Sequence, residues 1–150
     1  MKVVVFGCGR TGANLSLTLC AAGHQVTVVE NNPAALRRLG KNHSCEVVIG
    51  SGLDYAVLEK AGIRETDVFF ALTRGDNTNL MAAQIVRLKY KCPRVCVKVA
   101  DPNRADAYRK LGYECVNPAA LTAGLMRDWM QGNEFKTIDS YNRLPKELEI

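Results

Sequence analysis

Residues 2–12 have the sequence KVVVFGCGRTG, and this stretch decides the fold of the chain. Its β-branched start predicts a short buried strand that ends directly in glycine. From Arg10 onward, Leu15, Leu19 and Ala22 recur at helical spacing, which predicts a helix. The glycine-rich segment therefore connects a strand to a helix. That is the context in which the pattern G-x-G-x-x-G indicates dinucleotide binding.

Each glycine of this pattern has its own predicted role. Gly7 permits the tight turn, Gly9 lets the backbone approach a pyrophosphate, and Gly12 lets the helix pack closely on the strand. The free N–H groups and the dipole at the helix start would then face the anion. Arg10 lies inside the loop, where a guanidinium would face phosphates. The alternative for Arg10 is a solvated arginine at a helix start.

The end of the second predicted strand supports nucleotide binding. Glu30 ends this strand, and an acidic residue there hydrogen-bonds the ribose hydroxyls and repels a 2′-phosphate. Asn31 and Asn32 follow, rather than an arginine that would accept a 2′-phosphate. We therefore predict an adenine nucleotide with an unphosphorylated ribose. The alternative is a glycine turn and a strand-end carboxylate without a ligand.

Strands and helices alternate along the rest of the chain. The predicted strands are 2–7, 25–30, 46–49, 67–72, 94–99 and 114–116, and the predicted helices are 10–22, 33–39, 54–61, 76–90, 102–111 and 118–130. The alternation predicts an α/β fold: a Rossmann-type, doubly wound, parallel six-stranded sheet of order 3-2-1-4-5-6, with helices on both faces. Residues 1–131 would form the nucleotide-binding domain, and 132–150 a polar, irregular C-terminal tail.

Composition excludes several classes of protein. The 150 residues are 47% hydrophobic and 23% charged, which is ordinary globular usage rather than that of a disordered chain or a disulfide miniprotein. The net charge of +5 comes from scattered basic residues, so we predict no nucleic-acid partner. The sequence has neither a secretion signal nor a run of about 20 apolar residues. We expect a cytoplasmic protein.

The sequence offers no evident catalytic or metal centre. Its six cysteines form no C-x-x-C pair, so we predict free buried thiols and no metal. The two histidines, His24 and His43, lie in loops before strands, away from the predicted site. We therefore predict no catalytic residue and no enzyme. The alternative is a small NAD-dependent oxidoreductase, or the cofactor domain of one.

Two helices have broad apolar faces. In the predicted helix 76–90, apolar side chains cover more than half of the circumference, and 118–131 carries two apolar rows. A helix that covers only a sheet needs a narrower stripe, so we predict that the domain self-associates through these helices. The alternative is that both helices are deeply buried.

The chain resembles the N-terminal domain of regulators of K⁺ conductance (RCK), also called KTN or TrkA-N, of Trk/Ktr potassium uptake systems. The resemblance covers about residues 1–131. It rests on VVVFGCGRTG at 3–12, HQVTVVE at 24–30, VVIGSG at 47–52, LEKAGI at 58–63, TDV at 66–68, ALT at 71–73 with Asp76 and Asn79, the segment 95–100, Leu111-Gly112 and Asn117-Pro118.

The resemblance implies a cytoplasmic regulatory domain, peripheral to the inner membrane through its transporter, that binds NAD(H), ATP, ADP or AMP. It implies a dimer or ring that gates a membrane potassium transporter or channel. By this resemblance, the phosphates and ribose are lined by Gly7, Gly9, Arg10, Thr11 and Gly12, and the ribose is held by Glu30 and Asn31. The adenine is bordered by Ser51, Gly52 and Leu53. Thr73 closes the site, and Lys98 reaches a terminal phosphate.

Two features depart from the family pattern. The family often has aspartate after the glycine that ends strand 3, where this chain has Ser51. The second ligand-binding module of the family, RCK-C, does not follow the last predicted helix. The sequence therefore fits either a stand-alone regulator or a fragment of a longer transporter.

Overall fold

The computed structural model describes residues 1–142, in which strands and helices alternate. The strands are β1 Lys2–Phe6, β2 Gln25–Glu30, β3 Glu46–Ile49, β4 Val68–Ala71, β5 Arg94–Lys98 and β6 Glu114–Val116. The α-helices are α1 Arg10–Ala21, α2 Tyr55–Lys60, α3 Asp76–Leu88, α4 Pro102–Lys110, α5 Pro118–Met130 and α6 Ile138–Tyr141, and two 3₁₀ helices span Pro33–Leu39 and Ile63–Glu65. The sheet order β3-β2-β1-β4-β5-β6 confirms the predicted doubly wound fold.

The apolar first strand lies in the middle of the sheet. β1 pairs in parallel with β2 on one side and with β4 on the other, so Val5 lies opposite Val28 and Phe70. Val5 and Val28 are fully buried, because helices cover a parallel sheet and leave its central strands no wet face. Because both faces of β1 are buried, its sequence is a continuous run of apolar residues and does not alternate between apolar and polar residues.

The described chain divides into two compact units, residues 1–97 and a second unit that begins at Lys98. The first unit contains β1–β4, α1–α3 and most of β5. The proposed separation into a domain of 1–131 and a tail of 132–150 stays a prediction.

No helix within residues 1–142 combines the length and the apolar character that crossing a bilayer requires.

The short helix predicted at 33–39 forms as a 3₁₀ helix. It is capped by the Asn32 side chain, which accepts a hydrogen bond from Ala34 N at 3.1 Å. The prediction of an irregular tail is wrong at Ile138–Tyr141, where the one-turn helix α6 forms. Residues 143–150 of that predicted tail lie outside the described residues.

The α6 turn is held to α5 by a buried polar contact within the second unit. The Tyr141 hydroxyl donates to Asp128 Oδ2 at 2.8 Å and accepts from the Lys136 backbone N–H at 2.8 Å. Both Asp128 and Tyr141 are buried. The Tyr141 ring lies over Gly124, where an added Cβ would come 2.5 Å from the ring. We call this arrangement of Tyr141, Asp128 and Gly124 the α6 strap.

The outer faces of α3 and α5 are apolar and exposed. On α3, Met81 is 55% and Leu88 61% exposed, although Ala82, Ala83 and Val86 beside them are buried. On α5, Met126 is 66%, Trp129 75% and Met130 72% exposed. The alternative that both helices are deeply buried is therefore wrong, and self-association through them stays a prediction.

Candidate nucleotide-binding site

The three glycines of the loop between β1 and α1 meet three different environments. Gly7 has φ +107°, and a Cβ there would lie 2.8 Å from the Thr73 backbone nitrogen. A Cβ at Gly12 would lie 1.9 Å from the Gly7 carbonyl oxygen, so α1 sits directly against the strand end. A Cβ at Gly9 would meet no atom of the described residues within 4 Å. The space in front of Gly9 is open, as a bound pyrophosphate requires.

The Glu30 carboxylate connects the end of β2 to this loop. Its Oε2 accepts a hydrogen bond from the Cys8 backbone N–H at 2.6 Å, and its Oε1 accepts one from the Asn32 N–H at 2.9 Å. Both oxygens are thereby oriented, while Glu30 remains partly exposed and Asn31 is exposed beside it. A fixed carboxylate at this position can accept hydrogen bonds from vicinal ribose hydroxyls.

The Cys8 side chain faces the opposite way, into the core. It is fully buried, and burial raises the pKa of its thiol, with the nearby Glu30 carboxylate adding to the rise and Arg38 opposing it. A thiol with a raised pKa is protonated at neutral pH and is a poor nucleophile. Cys8 therefore contributes its backbone N–H to the loop and a small apolar side chain to the core.

The loop after β3 closes one side of the site. Gly50 N donates to the Glu30 carbonyl oxygen at 3.0 Å, which holds this loop against the end of β2. A Cβ at Gly52 would lie 2.6 Å from the Phe6 ring, so only glycine fits at the end of β1. The Ser51 hydroxyl accepts from the Leu53 N–H at 3.2 Å and shapes the turn. The structure thus brings residues 51–53 to the carboxyl ends of β1 and β2.

The loop after β4 is fixed by a buried asparagine of α3. Asn79 Oδ1 accepts hydrogen bonds from the Thr73 backbone N–H at 2.8 Å and the Thr73 hydroxyl at 2.6 Å. Its Nδ2 donates to the Thr73 carbonyl oxygen at 3.2 Å. Sequence reasoning singled out Thr73 and included Asn79 only as part of the family resemblance. The available signal was a Thr followed six residues later by Asn in the first turns of a helix.

The helix starts differ in how their N–H groups are used. Asp54, Asp101 and Asn117 cap α2, α4 and α5 with side-chain oxygens. In contrast, α1 and α3 begin after Gly9 and Gly75, neither of which has a side chain that could cap the helix. These two helices follow β1 and β4, between which the strand order reverses. Ligands of doubly wound folds bind at that position.

The remaining predicted site residues are only partly accounted for. Arg10 and Thr11 are exposed in the first turn of α1, beside Gly9. Lys98 is the last residue of β5 and belongs to the second unit, whereas all the other predicted site residues lie in the first. Its reach toward a terminal phosphate stays a prediction.

A separate groove lies at the opposite ends of the strands. It has a volume of about 480 Å³ and is lined by the amino ends of β1 and β2 together with Glu46, Lys60 and Glu65. The ion pair between Lys2 and Glu65 lies at this groove.

Within residues 1–142, no three His, Cys, Asp or Glu side chains come together in a group that could hold a metal ion.

A parallel sheet of order 3-2-1-4-5-6, with G-x-G-x-x-G after its first strand and an oriented carboxylate at the end of its second, defines the Rossmann class of nucleotide-binding folds. Residues 3–118 match the family model described as the TrkA-N domain. The chain belongs to the TrkA-N family.

Known proteins agree with this assignment. The chain is 38% identical over 126 residues to the Trk system potassium uptake protein TrkA of Streptomyces coelicolor, covering 84% of this chain and 56% of that protein. The chain thus spans about half the length of this relative. Two solved structures share the fold: the Kef CTD of Shewanella denitrificans in AMP-bound form (TM-score 0.73, 18% identity, 94% of this chain and 86% of that one), and the GsuK channel bound to NAD (TM-score 0.67, 23% identity, 82% and 22%).

Proposed function

We propose that this chain is a nucleotide-sensing regulatory domain of a potassium uptake system. One observation carries the proposal: the open space in front of Gly9, at the uncapped start of α1, with the Glu30 carboxylate oriented at the Cys8 N–H. An anion in that space meets helix N–H groups, and a ribose beside it meets a fixed acceptor.

In this proposal each part of the ligand has its own contacts. The pyrophosphate lies over Gly7, Gly9 and Gly12, with Arg10 and Thr11 beside it. The ribose is held by Glu30 and Asn31, and the adenine by Ser51, Gly52 and Leu53. Thr73 closes the site from β4, and Lys98 contacts a terminal phosphate.

The ligand class is an adenine nucleotide: NAD(H), ATP, ADP or AMP. Structures of the same fold were solved with AMP and with NAD, which supports the class and leaves the particular nucleotide to measurement. Glu30 favours an unphosphorylated ribose, because its carboxylate would repel a 2′-phosphate.

The partner is a membrane potassium transporter or channel, with this domain on its cytoplasmic side. Support comes from the Trk potassium uptake protein that the chain resembles. Regulation requires only that the nucleotide binds two assembly states with different affinity. The exposed apolar faces of α3 and α5 are the surfaces through which we expect a homodimer or a ring to form.

The first test is a comparison of nucleotides by calorimetry and thermal unfolding of the full chain. NAD⁺, NADH, ATP, ADP, AMP and NADP⁺ are compared at equal concentration. We expect at least one adenine nucleotide to raise the melting temperature and NADP⁺ to bind more weakly than NAD⁺. A chain that binds none of the six would contradict the proposal, and steady oxidation of NADH with a small carbonyl substrate would favour the oxidoreductase.

The second test addresses the transporter. Rubidium uptake is measured in cells that carry the full-length gene either unchanged or with Gly9→Val. We expect uptake to lose its dependence on cellular nucleotide state in the variant, while the transporter remains in the membrane at the same level. Equal uptake in both strains under all conditions would contradict a regulatory role for the site.

A further inference from the structure

Two thiols that the nucleotide site does not use lie at the core side of α1, one on the helix and one packed beside it. Cys20 lies in the last turn of α1, and Cys45 lies just before β3. Cys45 is buried in the hydrophobic core beside α1, and the partly exposed Cys20 packs against the same cluster. All six cysteines of the chain are free thiols.

One hydrogen bond places the Cys45 thiol against α1, one turn before Cys20. The Cys45 thiol donates to the Ser16 carbonyl oxygen at 3.6 Å, and Ser16 lies one helical turn before Cys20 on the same face of α1. Burial first, and then the neighbouring Cys20 thiol, raise the pKa of Cys45 to about 12. The pair thus joins one accessible thiol to one buried, protonated thiol.

We propose that Cys20 and Cys45 are an oxidisable pair, which a peroxide converts to a disulfide that joins the end of α1 to the start of β3. The Cys20 thiol gives up its proton and its sulfur attacks one peroxide oxygen. The O–O bond breaks, Cys20 becomes a sulfenic acid, and the other oxygen takes up that proton and leaves as water. The Cys45 thiol then attacks the Cys20 sulfur and passes its proton to the sulfenic oxygen in the same step. The S–O bond breaks with loss of water, so no free Cys45 thiolate is required. Two thiols are oxidised, and one peroxide is reduced to two waters.

The order of the steps follows from exposure. Cys20 is partly exposed and meets the oxidant first, whereas Cys45 is buried and meets only the oxidised Cys20. Cys8 is buried in the same core cluster, but Cys45 is the thiol that the contact with Ser16 places one turn from Cys20. Cys92 lies elsewhere, with its thiol donating to the Thr66 and Arg94 carbonyl oxygens.

The disulfide would close a loop that contains β2. The loop between Cys20 and Cys45 includes Glu30 and Asn31, so the closed loop contains the strand with the oriented carboxylate. A cross-link of this length restricts the unfolded chain more than the folded one. We therefore expect the oxidised protein to melt at a higher temperature than the reduced protein.

The experiment oxidises the reduced, purified full chain with hydrogen peroxide. Remaining thiols are alkylated under denaturing conditions, and peptides are mapped by mass spectrometry. We expect the loss of two thiols, one cross-linked peptide pair containing Cys20 and Cys45, and full recovery on reduction. Cys45→Ser should instead accumulate a Cys20 sulfenic acid that dimedone traps. Cys96→Ser, the matched control in β5, should form the cross-link as the unchanged protein does.

Three results would overturn the proposal. They are a cross-link that involves Cys8, a cross-link that persists in Cys45→Ser, and over-oxidation of Cys20 in the unchanged protein without any cross-link. Mapping of the unchanged protein decides the question even if a variant folds poorly. None of these measurements requires a nucleotide, so failure here leaves the proposed function intact.

Discussion

The Glu30 carboxylate and the Cys8 backbone N–H are joined by a hydrogen bond of 2.6 Å. This bond connects the end of β2 to the middle of the glycine loop before any ligand arrives. A carboxylate that is already oriented loses little conformational freedom when it accepts ribose hydroxyls. The second hydrogen bond, from Asn32 N–H at 2.9 Å, fixes the other carboxylate oxygen.

Gly9→Val should remove nucleotide binding and leave the fold intact. Gly9 has φ −72°, and an added side chain meets open space, so the apo protein accommodates valine. The same side chain occupies the volume of the pyrophosphate. Calorimetry should detect no binding, while the melting temperature of the apo protein stays the same.

Gly12→Ala is the informative comparison for that variant. Its Cβ would lie 1.9 Å from the Gly7 carbonyl oxygen, so α1 must move away from β1. We expect a lower melting temperature even without nucleotide. Equal apo stability of the two variants would contradict the assigned roles of these glycines.

Glu30→Gln should weaken NAD⁺ binding and narrow the preference over NADP⁺. The amide has the same shape but only one acceptor oxygen and no charge to repel a 2′-phosphate. Loss of a hydrogen bond to a charged group lowers the binding affinity about tenfold. Titration with both dinucleotides checks this, and tighter binding of NADP⁺ by the unchanged protein would contradict the role of Glu30.

Asn79→Ala should destabilise the protein. The change removes three hydrogen bonds and leaves the Thr73 N–H and carbonyl without this partner. Leaving buried polar groups unpaired costs about 2 kcal/mol of the free energy of unfolding. Urea unfolding measures the loss, and Asn14→Ala on the exposed face of α1 is the control, expected within about 0.5 kcal/mol of the unchanged protein.

The α6 strap should give the protein a stability that depends on pH. Hydrogen bonds from Tyr141 and then Arg127, with the Lys136 charge nearby, hold the pKa of Asp128 below its ordinary value. A lowered carboxyl pKa contributes stability that is complete above about pH 4, the ordinary value, and disappears as pH falls through the folded-state pKa. Asp128→Asn should therefore be less stable than the unchanged protein near neutral pH.

That difference should shrink as the pH is lowered below about 4. Urea midpoints of both proteins across this range give the measurement. Asp139→Asn, an exposed position on α6, is the control and should follow the unchanged protein. A difference that stays constant down to acid unfolding would rule out Asp128 as the titrating group.

Trp129→Glu should weaken self-association. Trp129 is the single tryptophan of the chain and lies on the exposed face of α5 with Met126 and Met130. A buried charge in an apolar interface opposes association, whereas Leu111→Glu, at a similarly exposed site that ends α4, should not. Light scattering compares the masses, and a monomeric unchanged protein at high concentration, with and without nucleotide, would contradict the interface.

The parts of the fold that were predictable depend on local pattern. The β-branched run of β1, the glycine spacing and the acidic end of β2 lie within 30 residues of one another and determine their own conformations. The strand order followed from the alternation of elements. The tight turn at Gly7 and the close packing at Gly12 follow from their places between a strand and a helix, whereas the contact of Gly9 with a pyrophosphate stays a prediction.

The parts that were missed depend on distant partners. A buried Asn79 has the same letter as an exposed helical asparagine, and only the fold places it against the backbone of Thr73. Tyr141 lies in a segment without hydrophobic periodicity, and its burial requires a glycine at 124 in another helix. Neither requirement is visible in the residues that surround these positions.

The capping residues have a consequence for simple ions such as sulfate. At α2, α4 and α5, a capping side-chain oxygen already accepts a hydrogen bond from an N–H group of the first turn, so a dissolved oxyanion would have to displace that side chain. At α1 and α3 the preceding glycine supplies none. In the proposed function, a sulfate or phosphate ion from the buffer would therefore compete with the nucleotide for the N–H groups at the start of α1.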